Sequence, residues 1–176
     1  RSSSAASDVY KRQEEFKDLF SSGEEYLDEN VKKFINDEPF LLVTSHRREN
    51  ILNKLSLKNI VDLINSSDKK VVFPMGYATQ RQIKDFGLNL NDNVLVIDPI
   101  GYLEFIYLLK KSQYCISDSG TVIEEACILN IPSIQMRYST ERPEVYEVGS
   151  SIKFDPTLEE QKFQDCLLYT SPSPRD

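Results

Sequence analysis

The sequence predicts an α/β domain, a Rossmann-like parallel sheet with helices on both faces. Short runs of consecutive apolar residues recur along the chain, as in strands buried on both sides. Between them lie stretches of about ten residues with helical spacing of their apolar positions. Strands and helices in alternation imply right-handed crossovers, which set successive strands parallel in one sheet. With 176 residues, 40% hydrophobic and 28% charged, the chain suffices for one domain with its own core.

Residues 14–36 read as helix, from Phe16, Leu19, Phe20, Tyr26, Leu27, Val31 and Phe34 at three- and four-residue spacing, with a break available at Gly23. Phe40-Leu41-Leu42-Val43-Thr44 is a buried strand, and polar residues 45–50 follow as a loop. Residues 55–64 form an amphipathic helix. Lys70-Val71-Val72-Phe73-Pro74 is the second strand, and residues 77–86 a short helix. Val94-Leu95-Val96-Ile97 is the third strand, stopped by Asp98-Pro99, and residues 102–111 are the helix after it. Tyr114-Cys115-Ile116-Ser117 is the fourth strand, with a helix over 119–129. Ser133-Ile134-Gln135-Met136 is the fifth, and Pro143 suits the first turn of one more short helix. There is no internal repeat and no heptad pattern.

The two ends break this order. Residues 1–13, Ser/Ala-rich and closing on Asp8-Val9-Tyr10-Lys11-Arg12-Gln13, read as translated adapter sequence. So do residues 166–176, which end in Leu168-Tyr169-Thr170-Ser171-Pro172-Ser173-Pro174-Arg175-Asp176. The domain is therefore expected over 14–165, with the gene product continuing in both directions.

Composition excludes some functions. A net charge of −7 argues against a nucleic-acid partner, which needs a basic patch. It leaves nucleotides open, since a helix N-terminus and one or two arginines hold a phosphate. No apolar run reaches the roughly 18 residues that span a bilayer, and no signal peptide is visible. Cys115, Cys127 and Cys166 have no metal-ligand spacing, and neither a P-loop nor a GxGxxG motif is present. Thiols in apolar runs, Cys127 on the core face of its helix, point to the reducing cytoplasm. No metal and no cofactor is expected.

Ligands of such sheets bind at the carboxyl ends of the strands. That rule selects Ser45-His46-Arg47-Arg48-Glu49-Asn50, Asp118-Ser119-Gly120-Thr121 and the segment from Arg137 to Arg142. In the second loop Ser119 or Thr121 can cap the following helix, and Thr121 with Glu124 fits a capping box. Gly120 permits close approach of a ligand, and free amides at the helix start favour a phosphate. A capped helix with no ligand explains the loop equally well. Glu124 and Glu125 suit a solvated first turn by the helix dipole alone, or a ribose contact. His46, the one histidine, follows a strand end beside Arg47 and Arg48, as a phosphate contact or proton donor would. A surface loop carrying a basic pair is the alternative. Thr140-Glu141-Arg142-Pro143-Glu144 caps and opens a helix, with Arg142 and Glu144 facing the cleft or each other.

In this order, the segments resemble the non-hydrolysing UDP-N-acetylglucosamine 2-epimerase family. The resemblance rests on Val43-Thr44-Ser45-His46-Arg47-Arg48-Glu49-Asn50, Tyr102-Leu103-Glu104-Phe105, Ser117-Asp118-Ser119-Gly120-Thr121-Val122-Ile123-Glu124-Glu125-Ala126, Pro132 and Thr140-Glu141-Arg142-Pro143-Glu144. It implies one domain, the C-terminal one, of a two-domain architecture like that of the B-type glycosyltransferases, with UDP in the cleft. The implied reaction eliminates UDP to a 2-acetamidoglucal and re-adds it with inversion at C2, using carboxylates of the N-terminal domain. His46 is implied as a catalytic or phosphate contact. Ser119, Gly120 and Thr121 are implied at the diphosphate, Glu125 at the ribose, Arg142 at UDP, and Arg47 at a second, activating substrate molecule. A UDP-sugar substrate and a homodimer of the full-length protein follow from the same resemblance.

Two departures bear on the sugar and on regulation. Thr121 stands where the family often has glycine, as in relatives acting on fucosamine-type UDP-sugars. Gly76 stands where many members place a second histidine. A hydrolysing relative releasing N-acetylmannosamine, a glycosyltransferase and a non-catalytic nucleotide-binding module are the competing readings.

Overall fold

The computed structural model describes residues 23–139, 144–147 and 149–159. In chain order they form α1 (Glu29–Ile35), β1 (Phe40–Thr44), α2 (Arg48–Ile51), α3 (Lys54–Asn65), β2 (Lys70–Pro74), α4 (Tyr77–Asp85) and β3 (Val94–Ile97). These are followed by α5 (Tyr102–Lys111), β4 (Tyr114–Ser117), α6 (Gly120–Ile128), β5 (Ser133–Met136), α7 (Glu144–Glu147) and β6 (Ser151–Phe154). The strands make one 6-stranded sheet in the order β3-β2-β1-β4-β5-β6, and every neighbouring pair is parallel.

The uninterrupted apolar strands follow from helices on both faces. Successive side chains of a strand point to opposite sides. Leu41, Val43, Val71, Phe73 and Ile116 therefore pack with Ile60, Leu63 and Ile64 of α3. Phe40, Leu42, Val72 and Cys115 pack on the other face with Val31 of α1, Leu108 and Leu109 of α5 and Ala126 of α6. Burial pushes the Cys115 thiol well above its ordinary pKa, so it stays protonated in the core.

Helix boundaries have local causes. Asn53 caps α3 by accepting from the Ser56 amide at 3.0 Å. Asp28 caps α1 by accepting from the Asn30 amide at 2.7 Å, so the N-terminal helical stretch is interrupted at Leu27-Asp28 and not at Gly23. Gly23 lies within a helical turn packed on α5. A Cβ there would stand 2.4 Å from the Leu103 carbonyl oxygen, so close packing rather than a break requires glycine. Residues 14–22 lie outside the described residues, as do the two end segments and Cys166.

Three expectations need correction. The loop over 45–50 turns into helix α2 at Arg48. A sixth strand, β6, extends the sheet beyond β5. Cys127 is only half-buried, because Ile123 and Ala126 take the inward face of α6.

Strands β2 and β3 lie on one side of β1, and β4, β5 and β6 on the other. The loops leaving the carboxyl ends of β1 and β4 therefore diverge, and a crevice opens between them at the point where strand order reverses.

Candidate functional site: the crevice between β1 and β4

Asp118, the first residue after β4, organises this crevice although it is wholly buried (0% exposed). Its Oδ2 accepts from Ser45 Oγ at 3.0 Å, the Arg47 amide at 2.9 Å and Asn50 Nδ2 at 3.3 Å. The His46 amide bifurcates onto both oxygens, at 3.2 and 3.1 Å. Arg47 Nε in turn donates to the Asp118 carbonyl at 2.8 Å. Thr79 of α4 donates to the Ser45 carbonyl at 3.0 Å, and Asn50 Nδ2 reaches the Met136 carbonyl at 3.0 Å. One buried carboxylate thus ties the loop after β1 to the ends of β4 and β5.

This frame presents His46 to the crevice. Its imidazole is 65% exposed, with Nδ1 3.5 Å from Asp118 Oδ1. Arg47 is half-buried and pinned by its own Nε, whereas Arg48 is exposed on α2. Arg137, at the end of β5, is 5% exposed, and its Nε lies 3.7 Å from Glu49 Oε1. Arg142, with Thr140, Glu141 and Pro143, lies outside the described residues.

Below His46, the hydroxyls of Thr44 and Ser117 bond each other at 2.8 Å across the register pair that ends β1 and β4. Ser117 Oγ also accepts from the Ser119 amide at 3.0 Å, which fixes the entry into α6. Ser119 occupies the N-cap position, yet its side chain makes no capping hydrogen bond. Thr121 is already inside the helix and exposed, so the capping box with Glu124 does not form. The first turn of α6 therefore faces the crevice without the side-chain oxygen that usually closes a helix start. The helix dipole adds partial positive charge at the same place.

Glu125 lies further along α6 and is half-buried. Tyr102, the first residue of α5, donates its hydroxyl to Glu125 Oε1 at 3.0 Å. Burial raises the Glu125 carboxyl pKa, and the Tyr102 hydrogen bond opposes that rise. Burial, followed by the hydrogen bond to Glu125 and its charge, pushes the Tyr102 phenol up to about 12. Gly76 caps α4 at φ −65°, and nothing lies within 4 Å of a Cβ built on it.

His46, Arg47 and Ser119 thus meet at the ends of β1 and β4, with Gly120 and Thr121 in the first turn of α6 and Glu125 bonded to Tyr102 further along that helix. Sequence reasoning named Asp118 and Tyr102 only as members of motifs and gave neither a role of its own. A carboxylate at the end of an apolar strand, opposite a loop rich in donors, was the available signal for the first. Tyr102 follows the edge strand β3, whose loop the strand-end rule had not selected. A second concavity of about 400 Å³ lies between α1 and the end of β3. Asp28, Asp98 and Glu104 line it, so it repels phosphate where the α6 start attracts it. Among the described residues, no group of three or more His, Cys, Asp and Glu side chains converges as a metal would need, and no helix is long and apolar enough to cross a membrane.

A parallel sheet in this strand order, with a crevice at its reversal point, defines a Rossmann-like α/β domain. The solved glycosyltransferase VinC, in complex with dTDP, superposes with a TM-score of 0.55 over 76% of this chain and 33% of that one, and at 18% identity it shows the fold alone. A sequence model of the family described as UDP-N-acetylglucosamine 2-epimerase matches residues 11–161, and the chain belongs to that family. The UDP-N-acetylglucosamine 2-epimerase of Methanocaldococcus jannaschii is 43% identical over 136 residues, which cover 70% of this chain and 37% of the relative. Its solved structure in complex with UDP-GlcNAc and UDP superposes with a TM-score of 0.68 at 37% identity, covering 88% of this chain and 43% of that one. The chain therefore spans well under half the length of the relatives it matches.

Proposed function

We propose that this chain is the UDP-binding, C-terminal domain of a UDP-N-acetylglucosamine 2-epimerase, formed by residues 14–165, with the end segments 1–13 and 166–176 adapter-derived. One observation carries the reading: an uncapped helix start, a partly desolvated carboxylate and an exposed imidazole share one crevice at the strand reversal. The Ser119 hydroxyl and the α6 amides at Gly120 and Thr121 hold the diphosphate. Glu125 accepts from the ribose hydroxyls, displacing Tyr102, and Arg142 adds a contact to UDP. Arg47 is assigned to an activating second substrate molecule.

In the proposed reaction a carboxylate of the N-terminal domain removes the C2 proton as the C1–O bond to UDP breaks. UDP then adds back to C1 of the 2-acetamidoglucal while a proton returns to the opposite face of C2. His46 and the α6 amides stabilise the charge that gathers on the departing diphosphate. Elimination and re-addition are redox-neutral, so no cofactor is needed. The full-length protein acts as a cytoplasmic homodimer supplying precursors of surface polysaccharide.

Joined to a matching N-terminal domain, the chain is expected to interconvert UDP-GlcNAc and UDP-ManNAc, read by NMR at C2. Alone, it is expected to bind UDP weakly and turn nothing over. Free N-acetylmannosamine would identify the hydrolysing reaction instead, and inversion only of a fucosamine-type UDP-sugar would follow the Thr121 departure. Turnover by the isolated chain would refute the division of labour between two domains.

The Glu125 assignment predicts a pH dependence. A carboxyl whose pKa rises on folding binds its proton more readily in the folded chain. Its contribution to stability therefore declines as pH rises from the ordinary carboxylate value through the raised one. Ribose hydroxyls donate to the ionised form, so UDP affinity falls as pH is lowered through the raised value. Tyr102→Phe removes the one contact that opposes the rise, and the midpoint of UDP binding moves to higher pH. Calorimetric titrations of both chains between about pH 4.5 and 8 check this. The phosphate's own titration is common to both chains and cancels in the comparison. Superimposable profiles would remove Glu125 from the ribose.

A further inference from the structure

We propose that Asp118 is a positioning residue for His46: it holds the neutral imidazole in the Nδ1–H form and turns Nε2 toward the crevice. The donors assembled around this carboxylate support the assignment. Ser45 Oγ, the amides of His46 and Arg47, and Asn50 Nδ2 all donate to it. An ionised carboxylate is an acceptor only. Oδ2 carries most of these donors, while Oδ1 takes one branch of the bifurcated His46 amide and faces Nδ1 at 3.5 Å. An unprotonated Nδ1 there would set its lone pair against those of Oδ1 inside a site closed to water on the Asp118 side. A proton on Nδ1 turns that repulsion into attraction.

The backbone reinforces the arrangement. The same carboxylate that faces the ring also holds the His46 and Arg47 amides, which fixes the backbone from which the ring projects. The consequence for the site rests on the UDP reading given above. With Nδ1 committed to Asp118, Nε2 is the nitrogen that takes up a proton and donates it to an anionic oxygen in the crevice. Asp118 itself touches no ligand; it acts through His46.

His46 is the chain's one histidine, so a single imidazole appears in long-range ¹H–¹⁵N spectra and its tautomer is read without assignment. The measurement uses the full chain at about pH 9, well above the ordinary histidine range. A free imidazole side chain favours the Nε2–H form, so the Nδ1–H form expected here is an inversion of the ordinary preference. Asp118→Asn should reverse it. The Asn oxygen replaces Oδ2 beneath Ser45, Arg47 and Asn50, and its NH₂ then faces Nδ1, leaving the proton on Nε2. Asn50→Ala removes another partner of the same carboxylate and should leave the Nδ1–H form in place.

An Nε2–H tautomer in the unmodified chain overturns the proposal, as does an Nδ1–H tautomer that persists in a folded Asp118→Asn chain. If Asp118→Asn does not fold, the unmodified and Asn50→Ala spectra decide. Titration of the same samples with UDP separates the two readings. UDP binding with an Nε2–H ring sinks the tautomer lock alone, and an Nδ1–H ring in a chain that ignores UDP sinks the nucleotide site alone. In the unmodified chain, UDP should shift the Nε2 resonance more than Nδ1. Asp118→Asn should weaken UDP about tenfold.

Discussion

A Ser119→Asp chain is expected to melt later than the unmodified chain and to bind UDP at least about 100-fold more weakly. Ser119 stands at the N-cap of α6 without using its hydroxyl as a cap. Aspartate at an N-cap accepts from the amides of the first turn and places negative charge at the positive end of the helix dipole. That gain is about 1 kcal/mol, or about 2–4 °C in a domain of this size. The same carboxylate then occupies the amides proposed for the diphosphate and repels its charge. Loss of two charge-assisted hydrogen bonds at about 1.5 kcal/mol each gives the 100-fold figure. Thermal melts and calorimetric titration with UDP measure the two effects on one sample. Opposite signs are the diagnostic: a destabilised chain that also loses UDP would show only damage, and a chain that still binds UDP would move the phosphate site elsewhere.

Asp118→Ala carries the largest expected effect on stability, a loss of about 3–5 kcal/mol against a typical total of about 5–15. The methyl group accepts nothing, so the buried Ser45 Oγ and Asn50 Nδ2 and the part-buried amides of His46 and Arg47 lose their shared partner. Leaving buried donors unpaired costs about 1–3 kcal/mol each, and part is recovered as the loop rearranges. Urea unfolding followed by circular dichroism is the measurement. A loss under about 1 kcal/mol would mean that the loop after β1 holds its shape without the carboxylate.

Much of the sheet was legible because its strands are short and apolar throughout. Periodicity placed β1 to β5 and the helices between them, and two packed faces account for the missing polar alternation. β6 was missed because Ser151-Ile152-Lys153-Phe154 alternates as a half-buried edge strand does, with Lys153 turned outward. The turn of helix at Arg48 was missed because its residues are those of a polar loop, and tertiary bonds to Asp118 decide its shape. The crevice itself was legible from strand ends, whereas its internal wiring was not. Spacing along the chain cannot show that Ser45 and Asp118 meet across 73 positions, nor that Tyr102 and Glu125 meet across 23. Those pairings exist only once β1 and β4 are neighbours in the sheet.

The opening over Gly76 bears on how such a domain diversifies. Its φ of −65° suits any amino acid, and nothing lies within 4 Å of where a side chain would begin. A Cβ can therefore be added there without repacking a neighbour. Folding places little constraint on the residue at position 76. At Gly23 the reverse holds: the Leu103 carbonyl leaves no room for a side chain, and glycine there records the demands of packing alone.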